Sequence, residues 1–312
     1  MPDTTFPSSV KIVEVGPRDG LQNEPTFVST DTKVELIERL VGAGITYVEA
    51  ASFVSPKWVP QMADGTEVLQ RIGRRGGVTF AALVPNLKGL EGALAANCEE
   101  VAVFAAASES FSQKNINCSI AESIDRFAPV VEQAKAAGVR VRGYVSCVLG
   151  CPFEGFIAPE QVASVAARLY RMGCYEISLG DTIGAGTPEK TKAMLRACAD
   201  AVPLTALAGH FHDTWGMAVA NVYAALQVGV ATFDSSVSGI GGCPYSPGAT
   251  GNVATEDVLY LCEELGIATG IDLAKVAEAD AFISDALGRT TSSRVARAID
   301  GKRKRLMSAA AQ

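Results

Sequence analysis

Eight short, apolar, β-rich runs recur along the chain with longer amphipathic stretches between them, and this alternation constrains the fold most. The runs are VKIVEV (10–15), TYVEAA (46–51), TFAALV (79–84), EVAVFAA (100–106), VRVRGYVSC (139–147), YEISLG (175–180), LAGHFHD (207–213) and TFDSSVSG (232–239). The intervening segments carry helix signals. TDTKVELIERLVGAG (30–44) opens on Thr30 or Asp31 as N-cap and closes on glycine. AESIDRFAPVVEQAKAAG (121–138) spaces its apolar residues for a helix, and Pro159 and Pro188 stand at first helical positions. TEDVLYLCEELG (255–266) and DLAKVAEADAFISDALG (272–288) follow the last run.

Strands that alternate with helices pair in parallel through crossover helices. Eight such units predict an α/β fold of the (β/α)₈ TIM-barrel type, which takes roughly 250 residues. A doubly wound open sheet is the rival; the count of eight and the lack of GxGxxG after the first run favour the barrel. No linker divides the 312 residues, so one domain over 1–312 is expected, with the barrel at about 10–265 and extra helices at about 270–300. The tail GKRKRLMSAAAQ (301–312) reads as a frayed end.

The formal net charge of −7 argues against a general nucleic-acid binder, which needs a basic face. Eight scattered cysteines in a chain this long do not read as a disulfide framework. MPDTTFPSS has neither the basic nor the apolar region of a signal peptide, and no apolar run is long enough to span a bilayer. A reduced, cytoplasmic protein without a membrane partner is the expectation.

Barrel chemistry sits at the C-terminal ends of the strands, and the unusual polar residues gather there. Run one leads into GPRDGLQNE (16–24), with Arg18, Asp19 and Gln22. Run two holds Glu49 and then Ser52, and run five ends in YVSC, starting at Tyr144. Run six ends in SLGDT, with Ser178 and Asp181. Run seven holds His210 and His212, the only histidines of the chain. On a strand both point to one face, where two imidazoles can grip a cation or merely hydrogen-bond.

Asp19 supplies a carboxylate from the first strand end, one strand away around the barrel. Asn252 could add a neutral oxygen. This mixed set suits a divalent ion such as Mg²⁺ or Mn²⁺, with Zn²⁺ also open. Taken alone, Asp19 also fits an Asp-Gly turn, and Asn252 a turn or helix cap. Arg18 can hold a carbonyl or a developing enolate, or pair with Glu49 or Asp181. GIGGCPYSPGATG (239–251), with five glycines and two prolines, reads as a loop over the mouth. Cys243 within it is either a tuned acid or an inert thiol. The remaining cysteines read as structural; Cys147 and Cys151 fit a turn.

EVGPRDGLQNE (14–24), VEAASFVSPKWVPQMAD (48–64), GYVSCVLGCPFEG (143–155), SLGDTIGAGTP (178–188), GHFHDTWGMAVAN (209–221) and SVSGIGGCPYSPGATGNVATED (236–257) together resemble the hydroxymethylglutaryl-CoA lyase family. The likeness runs from about residue 10 to 298. GGCPY and GPRDGLQNE are specific to that family, whereas HxHDT is shared with other metal-dependent aldol-type barrels.

The resemblance implies retro-aldol cleavage of an acyl-CoA thioester, 3-hydroxy-3-methylglutaryl-CoA, to acetyl-CoA and acetoacetate. It implies a divalent ion on Asp19, His210, His212 and Asn252, catalysis by Arg18 and Cys243, and support from Glu49 and Asp181. Gln22, Ser52, Tyr144 and Ser178 join Arg18 as candidate substrate contacts. The base that takes the hydroxyl proton is Asp19, His210 or a water on the metal. A homodimer is implied as well.

The chain departs from the family pattern at Ala51, Phe211, Trp215 and Met217, and carries Gly288 and Thr290 where animal enzymes have Asn and Lys. The alternatives are a lyase for citramalyl-CoA or a branched 3-hydroxyglutaryl-CoA, an acetyl-CoA/2-oxo acid synthase, and a non-catalytic acyl-CoA-binding barrel. The chain is short for a synthase with a regulatory domain, and GGCPY favours the lyase.

Overall fold

Strands buried on both faces, with side chains alternating between them, build the architecture. In the computed structural model, which describes residues 6–242 and 251–310, Ile177 and Leu179 face outward into a large apolar cluster under the helices, as do Val141 and Val145. Their neighbours Arg142, Ser178 and Glu176 are buried on the other face. The strands β1 (Lys11–Glu14), β2 (Tyr47–Ser52), β3 (Thr79–Leu83), β4 (Glu100–Ala106), β5 (Arg140–Ser146), β6 (Glu176–Asp181), β7 (Leu207–Phe211) and β8 (Thr232–Ser235) form a closed parallel barrel in sequence order, β8 returning to β1. The expected (β/α)₈ fold is therefore the observed one. Between β1 and β8 the register runs from Lys11 opposite Thr232 to Glu14 opposite Ser235.

Eleven α-helices surround the barrel among the described residues. They are α1 (Thr30–Gly42), α2 (Gly65–Ile72), α3 (Leu87–Ala95), α4 (Glu109–Ile116), α5 (Ile120–Ala136), α6 (Pro159–Met172), α7 (Pro188–Ala199), α8 (Ala218–Val228), α9 (Thr255–Glu264), α10 (Leu273–Leu287) and α11 (Arg294–Ala310). Pro159 and Pro188 begin α6 and α7 as expected, because a first-turn N–H has no helical partner to lose. α5 starts on a capping box between Ser119 and Glu122. No helix among the described residues is long and apolar enough to cross a membrane.

Three details differ from the sequence reading. The cap of α1 is Ser29, not Thr30 or Asp31: its Oγ accepts the Thr32 N–H at 3.2 Å. The tail is not frayed at residue 301, because α11 continues to Ala310. Asp257 on α9 anchors the start of α11, accepting the Ser293 hydroxyl at 2.6 Å and the Val295 N–H at 2.9 Å. This satisfies donors that a helix start leaves open. Finally, β7 ends at Phe211 and β8 at Ser235, so His212 and Ser236 belong to the mouth.

Candidate active site

The first strand end makes the site possible. Directly after β1 the backbone forms a wide five-residue helical turn, Gly16–Gly20, which places Arg18 and Asp19 over the barrel mouth. Both bounding glycines are required by contact. A Cβ on Gly16 would lie 2.6 Å from Glu14 Oε1, and one on Gly20 2.6 Å from Ile240 Cγ1. Glu14, just below, accepts the Gly16 and Val237 N–H groups at 2.8 and 3.0 Å and the Thr255 hydroxyl at 2.7 Å. It thereby ties β1 to both ends of the β8–α9 connection. Burial pushes the Glu14 carboxyl up to about 7, against these three donors.

Arg18 is 5% exposed. Its Nε donates to Glu49 Oε2 at 2.7 Å, its Nη2 makes a shorter contact to the same oxygen, and its Nη1 donates to Asp19 Oδ1 at 2.6 Å. The ion pair with Glu49 thus forms, and one with Asp181 does not. Three of the five guanidinium donors are committed, leaving two among the described residues. The Tyr144 hydroxyl also donates to Glu49 Oε2, at 3.1 Å, and the Arg18 carbon lies 5.6 Å from the Tyr144 ring centre. Burial raises the Glu49 pKa, and Arg18 opposes that shift.

Asp19, His210 and His212 converge. One ligand atom from each lies within 4.8 Å of the others, and His210 Nε2 is 4.0 Å from Asp19 Oδ2. The two imidazole Nε2 atoms face each other at 3.2 Å. His212 lies one residue past β7, paired with Asn252 in an isolated antiparallel bridge. That bridge brings Asn252 to the cluster: its Nδ2 donates to Asp19 Oδ2 at 2.9 Å, while its Oδ1 is buried without a partner.

The electrostatics follow from this packing. Burial disfavours ionised Asp19, but Arg18 and then the two histidines outweigh it and hold the carboxyl at about 2. Burial and the neighbouring His210 push His212 down to about 4. For His210, burial acts downward, but the hydrogen bond and charge of Asp234 carry it above the usual imidazole value. An ionised carboxylate, two facing imidazole nitrogens and an orphaned amide oxygen are the donor set of a divalent cation. These residues fit such an ion.

The other sequence candidates fall as follows. Asp181 is buried at the end of β6 and accepts the Ala185 and Gly186 N–H groups at 3.1 and 2.8 Å, holding the β6–α7 turn. Its burial raises it to about 6. Ser178 donates its hydroxyl to Asp234 at 2.7 Å. Ser52 Oγ accepts the Val54 N–H at 3.3 Å, and Gln22 Oε1 is buried without a partner. Cys243 lies outside the described residues. Cys98, Cys118, Cys151, Cys174, Cys198 and Cys262 are buried free thiols.

Sequence reasoning missed Asp234 and Arg142, whose signal was a charged residue in the middle of an apolar strand run. Asp234 Oδ2 receives His210 Nδ1 at 3.1 Å. Arg142, with no exposed surface, donates to both Asp234 oxygens at 3.0 and 2.6 Å and to Glu176 at 2.8 Å.

Comparison with known proteins agrees with this architecture. The family described as HMGL-like matches residues 9–283. A hydroxymethylglutaryl-CoA lyase of Pseudomonas mevalonii is 62% identical over 291 residues, 93% of this chain and 97% of its own. A 3-hydroxy-3-isohexenylglutaryl-CoA/hydroxy-methylglutaryl-CoA lyase of Pseudomonas aeruginosa is 58% identical over 297 residues, 95% of this chain and 99% of its own. A crystal structure of hydroxymethylglutaryl-CoA lyase from Pseudomonas aeruginosa superposes with a TM-score of 0.94 at 58% identity, covering 95% of this chain and 99% of that one.

Proposed function

The chain belongs to the HMGL-like family, and from that premise we propose that it is a carbon–carbon lyase cleaving 3-hydroxy-3-methylglutaryl-CoA to acetyl-CoA and acetoacetate. The observation that carries the chemistry is the convergence of Asp19, His210 and His212 within 4.8 Å at the barrel mouth. A divalent cation, Mg²⁺ or Mn²⁺, held by Asp19, His210, His212 and Asn252 would supply Lewis-acid polarisation of the substrate's hydroxyl and carbonyl oxygens.

The protein's own groups divide the remaining work. Cleavage between C2 and C3 turns the tertiary alcohol into a ketone, its hydroxyl proton passing to a base that is Asp19, His210 or a water, and releases the enolate of acetyl-CoA. Arg18, clamped by Glu49 and Asp19, keeps two N–H donors for the enolate oxygen. Glu49 and Tyr144 fix the guanidinium plane. Asp19, held at about 2, stays ionised at neutral pH and serves as an anionic ligand or a weak base, not as an acid. Asp181 shapes the adjoining β6–α7 turn. Cys243 delivers the proton that quenches the enolate carbon, and Gln22, Ser52, Tyr144 and Ser178 contribute to the substrate cavity. Buried thiols without disulfides among the described residues fit a reducing, cytoplasmic setting, and the family likeness points to a homodimer.

The test is direct. Purified protein is mixed with 3-hydroxy-3-methylglutaryl-CoA, with Mg²⁺ or with EDTA, and acetoacetate is followed. Product that requires Mg²⁺ is expected; turnover undiminished by EDTA would remove the cation from the mechanism. A second reading has support in the name of the Pseudomonas aeruginosa relative, which includes an isohexenyl-branched substrate. A larger kcat/KM for such a branched 3-hydroxyglutaryl-CoA would make that compound the substrate.

A further inference from the structure

We propose that Asp234 is a positioning residue of this site: it fixes His210 in the form that carries its proton on Nδ1, so that Nε2 is presented to the cluster. Arg142 holds Asp234 in place from below. The inference rests on reading His210 as a cation ligand.

The geometry comes from strand register. His210 on β7 lies directly opposite Asp234 on β8, and the parallel ladder turns both side chains to the barrel interior. The contact between His210 Nδ1 and Asp234 Oδ2 is 3.1 Å. An ionised carboxylate can only accept, so the bond requires a proton on Nδ1. Nε2 is left to face His212 Nε2 at 3.2 Å and Asp19 at 4.0 Å.

Asp234 cannot turn away, because both of its oxygens are occupied. Oδ2 also takes the Ser178 hydroxyl at 2.7 Å and Arg142 Nη1 at 3.0 Å, and Oδ1 takes Arg142 Nη2 at 2.6 Å. Arg142 is pinned in turn. Its Nε donates to Glu176 Oε1 at 2.8 Å, directly across the β5–β6 register, and Glu176 Oε2 receives Lys11 Nζ at 2.6 Å. A ladder of alternating charge thus runs down the barrel from His210 through Asp234, Arg142 and Glu176 to Lys11. A buried carboxylate carrying this many donors is rigid. Imidazole ligands of metals gain orientation and basicity from a carboxylate of this kind.

The experiment exploits the presence of only two histidines in the chain. Mn²⁺ affinity of the full-length protein is measured by the free-ion electron paramagnetic resonance signal for wild type and Asp234→Asn. Imidazole ¹⁵N shifts are recorded in the Mg²⁺-loaded form. Asp234→Asn is expected to weaken Mn²⁺ by about 10–100-fold, as loss of such outer partners does, and to lower kcat more than KM at saturating Mn²⁺. Its His210 nitrogens should shift, while wild type shows Nδ1–H.

Mn²⁺ affinity within twofold of wild type, with unmoved His210 shifts, would overturn the assignment. Absence of Mn²⁺ binding by wild type itself would overturn it together with the cation reading, and so tells the two failures apart. If Asp234→Asn does not fold, the wild-type spectrum decides: a proton on Nε2 of His210 in place of Nδ1 refutes the proposal.

Discussion

Replacing Arg18 by Met separates what the guanidinium does for the fold from what it does for the reaction. Arg18 and Glu49 are 5% and 1% exposed, and two of the three committed Arg18 donors go to Glu49. Arg18→Met therefore strands a buried carboxylate whose one other donor among the described residues is Tyr144. Breaking a buried ion pair from one side costs about 3–5 kcal/mol. In Arg18→Met/Glu49→Gln the stranded charge is gone and the Tyr144 hydroxyl keeps an acceptor, so most of that loss should return. Contacting charged residues give coupling energies of about 0.5–3 kcal/mol, and the upper end is expected here.

Catalysis should respond differently. Loss of one stabilising donor to a developing oxyanion costs about 10²–10³ in kcat, and removing Glu49 cannot restore it. The assay pairs urea unfolding of the four proteins of the cycle with initial rates of acetoacetate release at saturating Mg²⁺. Stability of Arg18→Met within about 1 kcal/mol of wild type would refute the buried-pair argument. A double variant that recovers the rate, or a loss confined to KM, would refute the enolate role.

Other perturbations test neighbouring claims. Glu14 has its folded-state value raised from 4.5 to about 7, so its contribution to stability is complete below pH 4.5 and is lost as pH rises through 7. Over that window wild type should lose about 3 kcal/mol that Glu14→Gln does not lose, read from urea midpoints at pH 4 and pH 8; parallel profiles would show that Glu14 titrates normally. Asp19→Asn should abolish detectable Mn²⁺ binding by calorimetry while leaving the fold cooperative, and retention of wild-type affinity would remove Asp19 from the ligand set. Cys243→Ala should drop kcat sharply with Mn²⁺ affinity little changed, and near-wild-type turnover would make the thiol inert. Asp257→Ala removes the acceptor at the start of α11, and hydrogen exchange across Arg294–Ala310 should rise by a factor that matches loss of about 1 kcal/mol of capping; unchanged protection would mean packing alone holds that helix.

The sequence by itself determined the layout. Eight apolar runs separated by amphipathic helices admit few arrangements, since parallel strands need crossovers and closure removes the sheet edges. It also pointed to mouth residues such as Arg18, Asp19 and His210, because polar groups gather where the apolar runs end.

What only the tertiary structure decided is who touches whom. Arg18 pairs with Glu49, not Asp181, because the wide turn after β1 faces β2. Ser29 rather than Thr30 caps α1, a choice of one residue that pattern alone does not resolve. Asp234 and Arg142 lie 92 positions apart in sequence and meet at 2.6 Å across the barrel. Closure of the barrel, with its stagger, sets which interior residues share a level. The tail reads as charged and loose from its own composition, but residues 301–310 continue α11, whose first N–H groups are accepted by Asp257 on another element. Local patterns report which residues are apolar and at what period; the partner that satisfies a buried charge or an open helix end comes from a distant segment, and only the closed fold brings the two together.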